Sequence, residues 1–405
     1  MEIHIGTKKV EESNEFLRCL WAEMEKEFGR CDWNYAPKKN GSKQRVFFGY
    51  MHINQDFSIA VMISYENKGS IHNLYFESTK KNLDIVKGTE LYNRLKKVVK
   101  ATRKKIGEYK ELFIDAHIQS TSPIMPYTGE NFEIKFINDK GFKMKFKINV
   151  YDEKHCGYQA NKVINDVMDF LSVETDDIFW SVDEYDNYDE LKFEETFIER
   201  DFMDENSLYW GYRTISKKGK QFLDLLTDCK RKDEEDLVLF LSACNHFHTA
   251  RMQEEQIYKK YEDSLYERIG ISQSEIATTM YLSALEVISL IGFKEEKCGS
   301  CGQVKYQISK RISQIAYRYL PSGYVKELLD KQFIDFYEHR SKYLHMGRKL
   351  VSEIPIQYYV PQLNLYAENM CDFPHNIHLS YLRECVGHCL RSFYKDKFMK
   401  SIKIT

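Results

Sequence analysis

Arg340 and His345 are the residues whose types and spacing are best suited to chemistry. They lie in Tyr337-Glu338-His339-Arg340-Ser341-Lys342-Tyr343-Leu344-His345-Met346-Gly347. This stretch closes an amphipathic helix predicted to begin near Tyr324, in which Leu329, Phe333, Phe336 and Leu344 recur at three- and four-residue steps along one face. Arg340 falls four residues after Phe336 and four before Leu344, so it interrupts the apolar stripe. A guanidinium keeps its charge at ordinary pH, and burying one without a carboxylate or anion is costly. His345 follows with four residues between, and Gly347 supplies a helix stop. A cation that does not deprotonate, next to a group that does, suits phosphodiester chemistry on RNA.

Spacing alone does not select this pair, because Arg383 and His388 repeat the four-residue gap. Context separates the two. Arg340-Ser341-Lys342-Tyr343-Leu344-His345-Met346-Gly347 resembles the Arg-polar-x-x-x-His signature of HEPN ribonucleases, in the Arg-Ser-Lys-x-x-His-x-Gly form of ApeA-like HEPN domains. Arg383-Glu384-Cys385-Val386-Gly387-His388 lacks the usual polar residue after arginine and the glycine stop. The resemblance covers roughly residues 235 to 400. Tyr281-Leu282-Ser283-Ala284-Leu285-Glu286 resembles the Ala-Leu-Glu turn of the family's second helix, and Lys310-Arg311-Ile312 the basic turn after it. Glu286 stands in an apolar run of Leu282, Leu285, Val287, Ile288 and Leu290, where a carboxylate calls for a cation. Arg340 is the economical partner; a glutamate at the edge of the stripe, facing water, is the alternative.

The resemblance implies a helical bundle that works as a homodimer and cuts RNA without a metal, the ribose 2′-hydroxyl attacking the adjacent phosphorus. His345 would act as general acid or base, since an imidazole titrates at ~6.5. Arg340 would hold the scissile phosphate with its forked donors, with Glu286 as its partner in the catalytic set. Ser341 would donate to the same phosphate, Tyr337 or Tyr343 would stack on a base, and Lys342 and Arg311 would complete the substrate contacts. On a straight helix five residues separate Arg340 from His345 by ~140°, which suits a site shared across a two-fold axis. ApeA-like proteins further imply an effector of bacterial anti-phage abortive infection, with a phage-derived trigger as partner. The competing reading is a non-catalytic HEPN-type module that assembles with a partner or recognises a nucleotide, with Glu286 and Arg340 as a structural ion pair.

Three other constellations invite chemistry. Cys298-Gly299-Ser300-Cys301-Gly302 is knuckle-like, but a structural zinc needs four ligands, so Cys298 and Cys301 would have to be completed by Cys385, His388 and Cys389, or by Cys244, His246 and His248. A plain loop with two free thiols is the alternative, and catalysis requires no cofactor in either case. Asn245-His246-Phe247-His248 places two histidines on different sides of a helix, which reads as ordinary helix surface. Lys96, Lys97, Lys100, Arg103, Lys104 and Lys105 load one helix with charge, either a solvated face or a phosphate-contacting one.

The elements that must position these residues divide the chain in two. Residues 1 to 178 read as an α+β domain of unassigned sensor or targeting role. It has helices over Glu11–Phe28, Thr89–Ile106 and Tyr158–Leu171, and strands over Arg45–Ile53, Phe57–Ser64, Ile71–Phe76, Leu112–Ile118, Phe132–Ile137 and Phe142–Val150. Residues 179 to 215 form an acidic connector, either a packed linker or a plug over a basic cleft. Residues 216 to 405 read as the HEPN-like bundle, with helices Glu234–Leu265, Ser272–Ile291, Gln303–Tyr319, Tyr324–His345 and Asn376–Lys400, the second opening on a Ser272-Gln273-Ser274-Glu275 capping box. The fold class expected is α+β, a mixed antiparallel-sheet and helix domain followed by an all-α bundle.

Composition sets the outer limits. The 405 residues suffice for two domains of ordinary size. A net charge of −2 supplies no global basic field, so RNA contact must be local. No run approaches the ~18 apolar residues of a membrane span. The N-terminus lacks an apolar signal core, and the 10 scattered cysteines read as reduced thiols, so a cytoplasmic location is expected.

Overall fold

The computed structural model describes residues 1–40, 43–54, 57–66, 69–80, 85–138, 141–183, 194–200, 208–209, 211–258, 264–293, 296–297, 304–305, 307–320, 326–347, 362–363, 371–372 and 379–399. It is a mixed α+β protein, with two five-stranded antiparallel sheets and nine helices among the described residues. The chain divides into two compact units, Met1–Leu112 with Asn149–Cys156, and Phe113–Ile148 with Gly157–Thr405. This differs from a division at residue 178, because the second sheet and the helix after it pack with the later helices. No helix among the described residues is long and apolar enough to cross a membrane.

In the first unit the strands are β1 (Glu2–His4), β2 (Cys31–Asn40), β3 (Lys43–Asn54), β4 (Phe57–Glu66) and β5 (Ser70–Ser78), in the order β1-β5-β4-β3-β2. Helices α1 (Val10–Phe28) and α2 (Glu90–Lys105) complete it. Phe16, Leu20 and Met24 of α1 meet Leu95, Val98 and Val99 of α2 and the inward residues Met51, Ile59, Val61, Leu74 and Phe76 in one core. The β3–β4–β5 meander contains the three expected strands Arg45–Ile53, Phe57–Ser64 and Ile71–Phe76. Strands β1 and β2 are not among those expected. The first has only three residues, and the second carries Pro37, which the sheet tolerates because β2 is an edge strand.

Thr89 caps α2, its hydroxyl accepting from the Tyr92 amide at 3.3 Å. Thr89→Ala should therefore lower stability by about 1 kcal/mol in urea denaturation; an unchanged midpoint would remove the cap's role. The basic face of α2 is divided. Arg94 and Lys105 pair with Glu27 and Glu23 at 2.9 and 2.6 Å, while Lys96, Lys100 and Lys104 stay exposed.

The second sheet comprises β6 (Lys110–Ser120), β7 (Tyr127–Thr128), β8 (Phe132–Asn138), β9 (Gly141–Val150) and β10 (Phe179–Val182), in the order β10-β6-β9-β8-β7. Helices α3 (Gly157–Thr175), α4 (Lys217–Thr227), α5 (Glu235–Tyr258), α6 (Ser264–Ile288), α7 (Ile308–Tyr319), α8 (Lys326–Met346) and α9 (Leu379–Lys397) follow. Ile164, Val167, Met168, Phe170, Leu171 and Val173 are all buried in α3. A helix that is apolar around most of its circumference belongs inside a cluster of helices. Phe170 packs against Phe222 of α4 (tilted) and Tyr394 of α9 (edge-to-face) at ring separations of 4.6 and 5.1 Å. Helix α6 packs on α5, α8 and α9, and α7 on α8 and α9.

One expected boundary is corrected. Helix α5 is described over Glu235–Tyr258 and α6 over Ser264–Ile288, with residues 259–263 of the expected Glu234–Leu265 helix outside the described residues. Ser272-Gln273-Ser274-Glu275 consequently lies inside α6, where the hydroxyls of Thr278 and Thr279 bond back to the carbonyls of Ser274 and Glu275 at 2.9 Å, and caps nothing. In the acidic connector, β10 pairs with β6, the Glu195 carboxylate accepts from Lys220 at 2.7 Å, and Glu199 accepts from Lys395 at 2.7 Å. Those two carboxylates behave as a packed linker. The acidic residues at 184–193 and 201–205 lie outside the described residues.

Candidate functional site

Helix α8 ends at Met346. Gly347 follows with φ +64°, and its amide donates to the Tyr343 carbonyl at 3.1 Å. That conformation is one glycine adopts freely, and it stops the helix where the sequence predicts. Because α8 stays regular through His345, Arg340 and His345 leave it on different sides.

Arg340 turns toward α6. One terminal nitrogen lies 2.8 Å from the Glu286 carboxylate, and the other donates to the Ser283 hydroxyl at 3.0 Å. The guanidinium also sits 5.6 Å from the centre of the Tyr337 ring, one turn earlier on α8. The side chains of Arg340 and Glu286 retain 13% and 24% exposure, so the pair is covered but reachable. The expected partnership of Glu286 with Arg340 is thus present, and Ser283 is an addition that the sequence did not single out.

His345 is exposed and makes no hydrogen bond or ion pair among the described residues. Ile334 is eleven residues earlier, ~20° away around a straight helix, and is exposed at 42%. Leu344 and Met346 flank the imidazole at 49% and 63% exposure. Leu344 therefore leaves the apolar stripe it was expected to complete, whereas Phe333 is buried. The last turn of α8 is exposed where Phe333 is covered.

The other expected site residues divide. Arg311 on α7 is buried and lies near Glu286 and Tyr337, with its guanidinium 4.3 Å above the Phe293 ring. Ser341 is half-buried and makes no hydrogen bond to Arg340 among the described residues. Lys342 reaches Glu338 at 3.7 Å, and Tyr343 is half-buried, its phenol pushed up by burial and by Glu275. Cys298 and Cys301 lie outside the described residues. Among the described residues no three His, Cys, Asp or Glu side chains gather as metal ligands. Burial drives the Cys385 thiol up to about 12 and raises Cys244 and Cys389, while His388 sits 3.1 Å from the Tyr319 carbonyl oxygen.

The paired histidines of α5 are not ordinary surface. His248 is buried, its Nδ1 2.8 Å from Asp169 and its Nε2 accepting from the Phe179 amide at 3.1 Å. That pattern fixes one tautomer and ties α5 to α3 and β10. His246 is half-buried beside the Arg340 pair; burial first, and then Arg340, push its pKa down, with Glu286 opposing. Acidification then has a definite sign. The unfolded chain takes up this proton first, so stability is intact above ~6.5 and falls as pH drops below it. His246→Gln should flatten the decline in urea midpoint between about pH 7 and about pH 5. An unaltered pH dependence would place the imidazole in solvent.

Arg383, from the second Arg-x4-His pair, is bound up in a different structure. Its Nε lies 2.9 Å from Asp176 and its Nη1 2.9 Å from Glu254, a carboxylate with no exposure. In the first unit, Asp32, His52 and Ser58 form a polar row across three strands, with separations of 2.7 and 2.9 Å. His52 and Ser58 are direct cross-strand partners, the ordinary arrangement of a half-exposed sheet face. No family model, no curated protein and no solved structure matches this chain, so a functional assignment has to come from the Arg340 cluster and the exposed imidazole themselves.

Proposed function

We propose that this chain is a metal-independent endoribonuclease of HEPN type, its helical second unit acting as the catalytic bundle. The observation that carries the reading is the division of labour on α8. Arg340 is fixed by Glu286 and Ser283, while His345 stands uncovered on the other side of the same helix, among exposed Ile334, Leu344 and Met346. An imidazole ringed by exposed apolar side chains suits a seam with a second copy of the chain, where each protomer's histidine meets its partner's arginine.

In that composite site a base takes the proton from the ribose 2′-hydroxyl and the oxygen attacks the adjacent phosphorus. The bond to the 5′-oxygen breaks, and that oxygen is protonated as it leaves. The products are a 2′,3′-cyclic phosphate and a 5′-hydroxyl end. His345 serves as the acid or base, and Arg340 offsets charge on the non-bridging oxygens. Tyr337 and Tyr343 offer rings to stack on bases. The biological setting is an effector of bacterial anti-phage abortive infection, released by a phage component.

The second reading, a non-catalytic assembly module, has one observation in its favour: both terminal nitrogens of Arg340 already have protein partners. The test compares cleavage of bulk cellular RNA by the wild type, Arg340→Ala and His345→Ala. Cleavage lost in both variants supports the nuclease; equal cleavage in all three, or none in the wild type, leaves the assembly module.

A further inference from the structure

The Arg340 cluster holds more positive charge than its carboxylate accounts for. Among the described residues two guanidiniums, Arg311 on α7 and Arg340 on α8, share one carboxylate, Glu286, and Arg340 is the one that takes it, at 2.8 Å. Tyr337 lies near both cations and is neutral at ordinary pH, its phenol raised first by burial and then by Glu286. His246, beside Arg340, has its pKa lowered by burial and by that cation, so it stays neutral and neither offsets nor adds to the positive charge.

Arg311 is only 7% exposed, and its Nε and Nη1 atoms have no hydrogen-bond partner among the described residues. The Nε of Arg340 is likewise buried without one. The Phe293 ring lies 4.3 Å beneath the Arg311 guanidinium. A ring face steadies a cation, but it accepts none of the five N–H groups of a guanidinium. Burying a cation and leaving its donors unmet costs stability, and burial accordingly lowers the pKa of Arg311. Proteins keep such a group where a ligand completes it.

We infer that Arg311 and Arg340 form a two-guanidinium seat for a backbone phosphate of RNA, with Tyr337 and Phe293 as its aromatic walls. The inference rests on the ribonuclease reading for the identity of the ligand, and extends it by placing a phosphate seat within one chain, independent of His345. Phosphate chemistry fits for three reasons. Its non-bridging oxygens accept from two forks at once, which a single carboxylate already committed to Arg340 does not. Its charge offsets the surplus cation. The half-exposed Phe293 and Tyr337 rings beside it match the bases that flank every backbone phosphate.

The seat makes a prediction that a structural arginine does not. Arg311→Met keeps a long side chain, removes the unmet donors and leaves the Glu286–Arg340 pair in place. It should leave Tm unchanged or raise it, while weakening RNA binding. The measurement is fluorescence anisotropy of full-length protein with a short 2′-O-methyl oligoribonucleotide, which lacks the attacking hydroxyl and is not cut. Arg311→Met should weaken binding about tenfold to a hundredfold and reduce the salt slope by about one, with Arg311→Lys in between.

Unchanged affinity and slope in Arg311→Met overturns the seat even if the wild type cuts RNA, and the nuclease reading survives. Weakened binding in a chain that cuts nothing supports the seat and removes the nuclease. A marked fall in Tm for Arg311→Met makes Arg311 structural and overturns the inference. So does a wild type that binds no oligonucleotide.

Discussion

His345→Ala is expected to lower the rate of RNA cleavage by about 10²–10⁴-fold, the range a positioned acid or base supplies, with little change in Tm. The two halves of that expectation come from the same feature. The imidazole is exposed and makes no hydrogen bond or ion pair among the described residues, so its removal breaks no packing. Surface substitutions of that kind stay within about 0.5 kcal/mol. Arg340→Ala should abolish cleavage as well, but at some cost in stability, because it strips Glu286 of its cation and Ser283 of its donor. Arg340→Lys separates charge from geometry. An ammonium keeps the attraction to Glu286 and loses the fork, so binding to RNA should survive better than turnover. Cleavage of bulk RNA by purified protein, alongside thermal melting of each variant, gives both readouts. A His345→Ala protein that cuts at the wild-type rate would take the imidazole out of the mechanism.

Much of this region is readable from the residues alone. A glutamate in an apolar run and an arginine in an apolar stripe each call for a partner, and the fold supplies each with the other. Gly347 announces the end of α8 for the ordinary steric reason. The parts that do not read through are those decided by tertiary packing. His246 and His248 alternate along α5, and period-based reasoning places them on opposite sides, without saying that α3 covers one of them. The signal was available in α3 itself: Ile164, Val167, Met168, Phe170, Leu171 and Val173 are buried, and Asp169 and Glu174 stand buried among them. Buried acids within an apolar helix imply partners from other helices, and they find His248 in one case and Ser216 and Tyr394 in the other. Strands β1 and β2 fail for a different reason, since three residues carry no period and Pro37 argues against a strand except at an edge. Arg311 reads as a basic turn in the sequence; only the fold shows it covered and short of partners.

The same contrast, charge matched against charge unmatched, separates the two Arg-x4-His pairs. Arg383 belongs to an interior network in which Arg200, Arg251, Arg383 and Arg391 are set against Asp176, Glu174, Glu254 and Glu384. Glu254 has no exposure and takes three donors: Arg251 at 3.2 Å, Tyr281 at 2.6 Å and Arg383 at 2.9 Å. It thereby joins α5, α6 and α9. Glu254→Ala should destabilise the protein by about 3–5 kcal/mol, because Arg251 and Arg383 would lose their shared fully buried carboxylate and lean on Asp176, which Arg200 also approaches, and the Tyr281 hydroxyl would lose its acceptor. Glu254→Gln retains acceptor and volume while dropping the charge, and should fall between alanine and wild type. Replacing Arg383 acts on the same network from the other side and should cost comparable stability. A loss of RNA cleavage in Arg383→Ala is then expected to track the loss of folded protein, whereas Arg340→Ala should lose cleavage while it remains folded. Urea midpoints for Glu254→Ala and Arg383→Ala, read beside the specific activity of the folded fraction, decide the matter. A Glu254→Ala midpoint within about 1 kcal/mol of wild type would mean that water or relaxation neutralises this interior far better than its burial implies.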